Sequence, residues 1–111
     1  MGTNLFEKAT ILDFAALVDY PANGIVSKQV LEKKTGNVTL FAFDEGQKLS
    51  EHTAPFDAMV QVLEGKGEII INRKSFLLDA GKSIIMPANV PHAVNAVAKF
   101  KMLLTMIKEA V

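Results

Sequence analysis

After Gly24 the chain is cut into short β-rich runs by turn signals at close intervals, and this punctuation constrains the fold more than anything else in the sequence. The runs are Ile25–Leu31, Val38–Phe43, Ala58–Leu63, Glu68–Ile71, Ser75–Leu78, Ser83–Met86, Ala93–Val97 and Phe100–Ile107. Between them lie Thr35-Gly36-Asn37, Asp44-Glu45-Gly46, Glu64-Gly65-Lys66-Gly67, Asn72-Arg73-Lys74, Asp79-Ala80-Gly81 and the stretch from Pro87 to Pro91. Many short strands with regular breaks indicate a sandwich or barrel. No segment after Gly24 has room for the crossover helices of a parallel α/β sheet. The 111 residues suffice for one domain, and half of them are apolar, enough to build a core without crosslinks.

The segment before Gly24 reads differently. Ile11, Leu12, Phe14, Ala15, Leu17 and Val18 form an apolar stripe near helical spacing, with Asp13 as a candidate cap and Tyr20-Pro21-Ala22-Asn23-Gly24 as the stop. Residues 1–24 are therefore expected to form an appendage with a short helix, covering hydrophobic surface on a barrel of residues 25–111. In two of the runs both faces are apolar. Val38, Leu40 and Ala42 alternate with Thr39, Phe41 and Phe43; Phe100, Met102, Leu104 and Met106 alternate with Lys101, Leu103, Thr105 and Ile107. A sheet with one wet face would carry polar residues at alternate positions. The outer face should thus be covered, by the N-terminal segment or by a second copy of the chain, and a homodimer is expected.

Charge and composition exclude several functions. Twelve Lys+Arg balance 12 Asp+Glu, without the basic face that displaces counterions from nucleic-acid phosphates. With no cysteine there is no disulfide, thiol nucleophile or Cys-based zinc site. The apolar runs fall short of the roughly 20 residues that cross a bilayer. Residues 1–8 lack a signal-peptide pattern, so a cytoplasmic protein is expected. Glu64-Gly65-Lys66-Gly67 has no following helix to receive an anion and reads as a hairpin rather than a phosphate loop. The five methionines read as core filler at strand positions.

Only two histidines are present, each in a turn-rich context at a strand edge. Around them the sequence resembles the cupin superfamily. The family's first motif runs Gly, five residues, His-x-His, three or four residues, Glu, six residues, Gly. Gly46, His52, Ala54, Ala58 and Gly65 stand at those places here, with every spacing kept. The second runs Gly, five residues, Pro-x-Gly, two residues, His, three residues, Asn; Gly81, Pro87, Asn89, His92 and Ala96 stand there. The resemblance covers about residues 38–107 and implies an all-β double-stranded β-helix, the jelly-roll cupin barrel. It also implies that positions 52, 54, 58 and 92 converge inside that barrel. Typical cupins place three imidazoles and a carboxylate there, a set suited to Fe, Mn, Ni, Cu or Zn.

Here Ala54 replaces the second His and Ala58 replaces the Glu, so His52 and His92 are the metal-ligand candidates that remain. Two neutral nitrogens leave most of a divalent ion's shell to water, and weak binding or none is expected. Asp57, where strand parity is not fixed, is the candidate for a compensating carboxylate or a ligand contact; its other reading is a turn-capping Asp. Gln61 falls on the face opposite Ala58 and Val60, and Glu51 should face solvent. Alternation turns Ala54, Ala58, Val60 and Val62 inward with His52, and Val94 and Ala96 inward with His92. Phe41 or Phe43, and Ile85 or Met86, should complete an apolar wall. Such a pocket favours a small, mostly apolar molecule held by a few polar groups. Two other readings stand beside it: a metal-dependent oxygenase, isomerase or lyase with an incomplete ligand set, and a non-catalytic dimeric interaction module.

Overall fold

The structure, a computed structural model, describes residues 6–109. Seven antiparallel strands make up nearly all of its regular structure: β1 (Ile25–Lys33), β2 (Gly36–Phe43), β3 (Lys48–His52), β4 (Asp57–Ile71), β5 (Lys74–Asp79), β6 (Ser83–Met86) and β7 (His92–Ile107). The expected N-terminal helix is a single 3-10 turn over Phe14–Ala16, and the Asp13 side chain makes no capping bond. Three helical residues cannot nucleate an α-helix, so packing rather than propensity shapes that segment. Among the described residues no helix is long and apolar enough to cross a membrane.

β4 and β7 are the long members, 15 and 16 residues, and they pair with one another from Asp57↔Ile107 to Ile71↔His92. Each changes its second neighbour halfway. β4 pairs with β6 through Ala58–Gln61 and with β5 through Lys66–Ile71. β7 pairs with β3 through His92–Asn95 and with β2 through Phe100–Ile107. The result is two layers, β1-β2-β7-β4-β6 and β3-β7-β4-β5, that share one bent ribbon.

The bend falls on Glu64-Gly65-Lys66-Gly67, which is the interior of β4 and not a hairpin. Register shifts lie between Val62 and Glu64 and between Gly65 and Gly67. The buried positions accordingly switch from Ala58, Val60 and Val62 to Gly67 and Ile69, a change of parity that bulges produce. Gly65 has φ +80°, and a Cβ there would lie 1.9 Å from the Lys99 carbonyl oxygen. Only glycine accepts both the backbone angle and the approach. At Gly67 a Cβ would lie 2.7 Å from the Phe100 ring.

Two clusters hold the fold. The inner one lies between the layers and joins Phe43, Val60, Val62, Ile69, Val94, Phe100 and Met102, with Phe41, Leu49, Leu104 and Met106 packed against it. The outer one lies on the far face of β1, β2 and β7, where Leu40, Ala42 and Leu103 pack under Phe6, Leu12, Phe14, Leu17, Val18 and Tyr20. The two-faced apolar strands thus find their outer cover in the N-terminal segment. Polar ties secure it: Lys28 Nζ donates to the Leu17 carbonyl at 2.9 Å and Lys101 Nζ to that of Ala15 at 2.6 Å. The Tyr20 hydroxyl donates to Glu64, whose carboxylate lies 3.6 Å from Lys101 Nζ.

Candidate functional site: a paired imidazole in an apolar barrel

His52 ends β3 and His92 begins β7, and the register sets them directly opposite one another. Their ring centroids are 4.3 Å apart at 71°, and the two Nε2 atoms approach to 3.1 Å. Each Nδ1 meets the carbonyl two residues back, His52 that of Ser50 at 2.8 Å and His92 that of Val90 at 3.2 Å. A carbonyl only accepts, so both Nδ1 atoms carry the hydrogen. The two Nε2 atoms then face one another, a contact that becomes a hydrogen bond when one ring carries a second proton. His92 is only 6% exposed, whereas His52 is open to solvent. Burial first, and then the neighbouring His52, hold His92 below the usual imidazole range, with the Val90 carbonyl opposing in part.

The pair stands in the wall of a cavity of about 460 Å³ between the two layers. The wall is otherwise almost wholly apolar: Phe41, Leu49, Met86, Val94, Met102, Leu104 and Met106, with Ser50 and Glu51 beside His52. Glu51 lies 3.9 Å from Arg73 Nε.

The structure brings together His52, His92, Phe41 and Met86 among the residues singled out in the sequence. Phe43 lies apart from this wall, fully buried and stacked on Phe100. Asp57 also lies outside it; one carboxylate oxygen accepts from the Ala88 amide at 2.8 Å and ties the start of β4 to the loop before β7. Ala54 lies in the loop between β3 and β4, where its carbonyl accepts from the Asn89 amide at 2.7 Å. Ala58 is buried in the row Met86–Ala58–Met106. Ile85 points away and is 63% exposed. Met102, Leu104 and Met106 were legible as one strand face but not as cavity wall, because a sequence pattern cannot tell packed interior from hollow interior.

The three-imidazole, one-carboxylate set does not fit here. Among the described residues no group of three or more His, Asp or Glu side chains converges on a point that could hold a metal ion. The site offers two nitrogen lone pairs, a mostly apolar chamber and, in chemical terms, a place for one cationic or hydrogen-bonding centre at the edge of a hydrophobic volume.

Comparison with known proteins agrees with this architecture. The family model for the cupin domain matches residues 39–108. A conserved protein of unknown function from Streptococcus pyogenes is similar over 97% of this chain and 95% of its own, at 35% identity and TM-score 0.91. A cupin 2 conserved barrel domain protein from Leptotrichia buccalis is 42% identical over 85% of this chain and 46% of its own, with TM-score 0.83. KdgF from Halomonas sp., at 20% identity, TM-score 0.69 and coverage of 78% of this chain and 81% of its own, shares the fold alone. No curated protein matches the sequence. With the bent β4–β7 ribbon, the two layers and this match in place, the chain belongs to the cupin family.

Proposed function

We propose that the barrel binds a small, mostly apolar molecule carrying one anionic or hydrogen-bonding group. The apolar part occupies the chamber between Phe41, Met102 and Leu104, and the polar end docks on the His52–His92 pair. The observation that carries this is the contrast within one wall: apolar side chains surround two imidazoles whose Nε2 atoms both face an Nε2 rather than a protein donor. The volume falls within the range of small-molecule sites, roughly 300–1,000 Å³. A proton taken up at the Nε2···Nε2 contact gives the pair a net positive charge that attracts a carboxylate, and a neutral polar group can displace that contact and donate to an Nε2.

Calorimetric titration of chelator-treated protein with straight-chain carboxylates of four to ten carbons, and with the matching alcohols, tests the reading. Binding should strengthen with chain length until the chamber is full, and His52→Gln should weaken the acids more than the alcohols. No saturable binding across both series would overturn it.

A second copy of the chain is the proposed cover for what the N-terminal segment leaves bare. The register aligns Leu31, Val38, Thr105, Met59 and Ile85 in one row across five strands, beside Ile107, which is 69% exposed. The next row runs Lys33–Gly36–Ile107–Asp57, with opposite charges at its ends. A two-fold axis near Ile107 sets Lys33 of one copy toward Asp57 of the other and buries the apolar row against itself. Sedimentation should show a dimer that Ile107→Glu dissociates; a strict monomer at 100 μM (roughly where even weak specific pairs assemble) would overturn it.

A further inference from the structure

We propose that Arg73 reads the charge of the ligand. Its guanidinium leaves Glu51 for the carboxylate of a molecule docked on the His52–His92 pair, so the chamber selects organic anions over neutral molecules of the same shape. The hairpin between β4 and β5 turns on Asn72 and Arg73, both in left-handed backbone, with φ 51° and 66°. Two-residue hairpin turns in which both central residues have positive φ favour asparagine followed by glycine. Asn72 fits that pattern. Arg73, the single arginine of the chain, takes the place of the glycine and bears the backbone strain that glycine would avoid. Strained residues of this kind cluster at ligand clamps, and the surroundings of Arg73 fit one.

The register sets His52, His92, Ile71 and Lys74 in one row across β3, β7, β4 and β5. Glu51 immediately precedes His52, and Arg73 immediately precedes Lys74 at the hairpin tip. Neighbouring strands lie about 4.8 Å apart, so β3 and β4 stand roughly 10 Å apart with the start of β7 between them. Glu51 and Arg73 nonetheless meet, Oε1 to Nε at 3.9 Å. Both side chains therefore extend across the start of β7, where His92 stands. Glu51 itself borders the cavity beside His52. The guanidinium thus lies at the cavity rim, against the carboxylate next to the paired imidazoles.

The ion pair opens at little cost. Its 3.9 Å separation is beyond hydrogen-bond reach, and its side chains are 86% exposed at Arg73 and 47% at Glu51, where water weakens the attraction. Glu51 is the only polar partner of Arg73 among the described residues, which leaves the planar fork of N–H donors available. A ligand carboxylate can take two parallel bonds from that fork, a geometry the contact with Glu51 does not reach. A neutral alcohol offers no charge to make the exchange worthwhile. The assignment rests on the ligand site proposed above and names its class: an apolar molecule ending in a carboxylate.

The test titrates the full chain and two variants with octanoate and with octanol. Arg73→Gly should weaken octanoate about tenfold, the low end for a hydrogen bond to a charged group, and leave octanol unchanged. The same variant should raise Tm by roughly 2–5 °C, because glycine accepts the left-handed backbone without strain. Glu51→Gln frees the guanidinium and should tighten octanoate about threefold, the scale of an exposed ion pair, again without effect on octanol. Three results would overturn the role of Arg73 alone: octanoate unaffected by Arg73→Gly, octanol weakened in step with octanoate, or octanoate weakened by Glu51→Gln. Wild-type protein that binds octanol more tightly than octanoate would also overturn it while leaving the chamber a binding site. Wild-type protein that binds neither probe would overturn both readings together.

Discussion

The interior of this barrel has two ends built from the same two strands, and they solve opposite problems. At one end Phe43 pairs with Phe100, the rings stacking at 4.5 Å and 12°, both fully buried. Moving along the inward face, the pairs become Phe41 with Met102, Thr39 with Leu104 and Asn37 with Met106. Aromatic volume on β2 gives way to small polar residues, and the cavity lies on the Phe41–Met102 side of the stacked pair. The closed end also needs Gly67, whose missing side chain admits the Phe100 ring. Filling one end with two stacked rings provides a rigid floor, and thinning the other provides a chamber. Stability should therefore reside at the closed end and binding at the open one.

The strongest way to break this comparison is Phe100→Ala, which should cost about 3–5 kcal/mol in urea unfolding. Leu104→Ala, half-buried beside existing empty space, should fall at or below the low end of the Leu→Ala range, about 2 kcal/mol. Equal losses would mean that the cavity wall is as tightly supported as the floor. Gly67→Ala comes next, at about 1–3 kcal/mol, because the added carbon meets a ring face with no flexible end to give way. Met106→Leu should cost less than about 1.5 kcal/mol. A smaller effect is expected behind the floor, where Glu64 pairs in register with Lys101 and receives the Tyr20 hydroxyl. Tyr20→Phe should cost about 1 kcal/mol, one neutral donor's share of a bond to a charged acceptor, and should leave ligand affinity unchanged. A change in affinity would show that the N-terminal segment reaches the chamber.

How much of this was legible in the residues differs between the two ends. The alternation of β4 and the spacing around His52 and His92 determine which side chains turn inward, and the structure places Val60, Val62, Val94, Ala96 and Met86 accordingly. The strand breaks were harder. Glycines at 65 and 67 signal a turn by composition, but here they bend one continuous strand, a distinction made by Phe100 some 33–35 residues away in the chain. Lys48–His52 is a strand despite its polar sequence, because pairing with β7 satisfies its backbone. The short apolar stripe near Phe14 has helical spacing without helical length, and its side chains anchor a mostly irregular segment. Asp57 illustrates the limit at the site: its position beside the motif was visible, but the Ala88 amide that engages its carboxylate was not.

The finest test separates the ends by pH. His92 is held below its usual range by burial and by His52, so the folded protein resists a proton that the unfolded chain accepts near pH 6.5. Below that value the unfolded state binds more protons than the folded one, and stability falls as pH falls. The contribution is complete above the unfolded value and is lost on descending from it to the folded one. Wild-type Tm should drop between pH 7.5 and 5.5, and His92→Gln should flatten that drop. Phe100 and Phe43 carry no titratable group, so Phe100→Ala should lower Tm by a similar amount at every pH in that window and leave the slope intact. If Phe100→Ala altered the slope, the two ends would be coupled through the ribbon they share. If His92→Gln left it unchanged, the acid sensitivity would lie outside the chamber altogether.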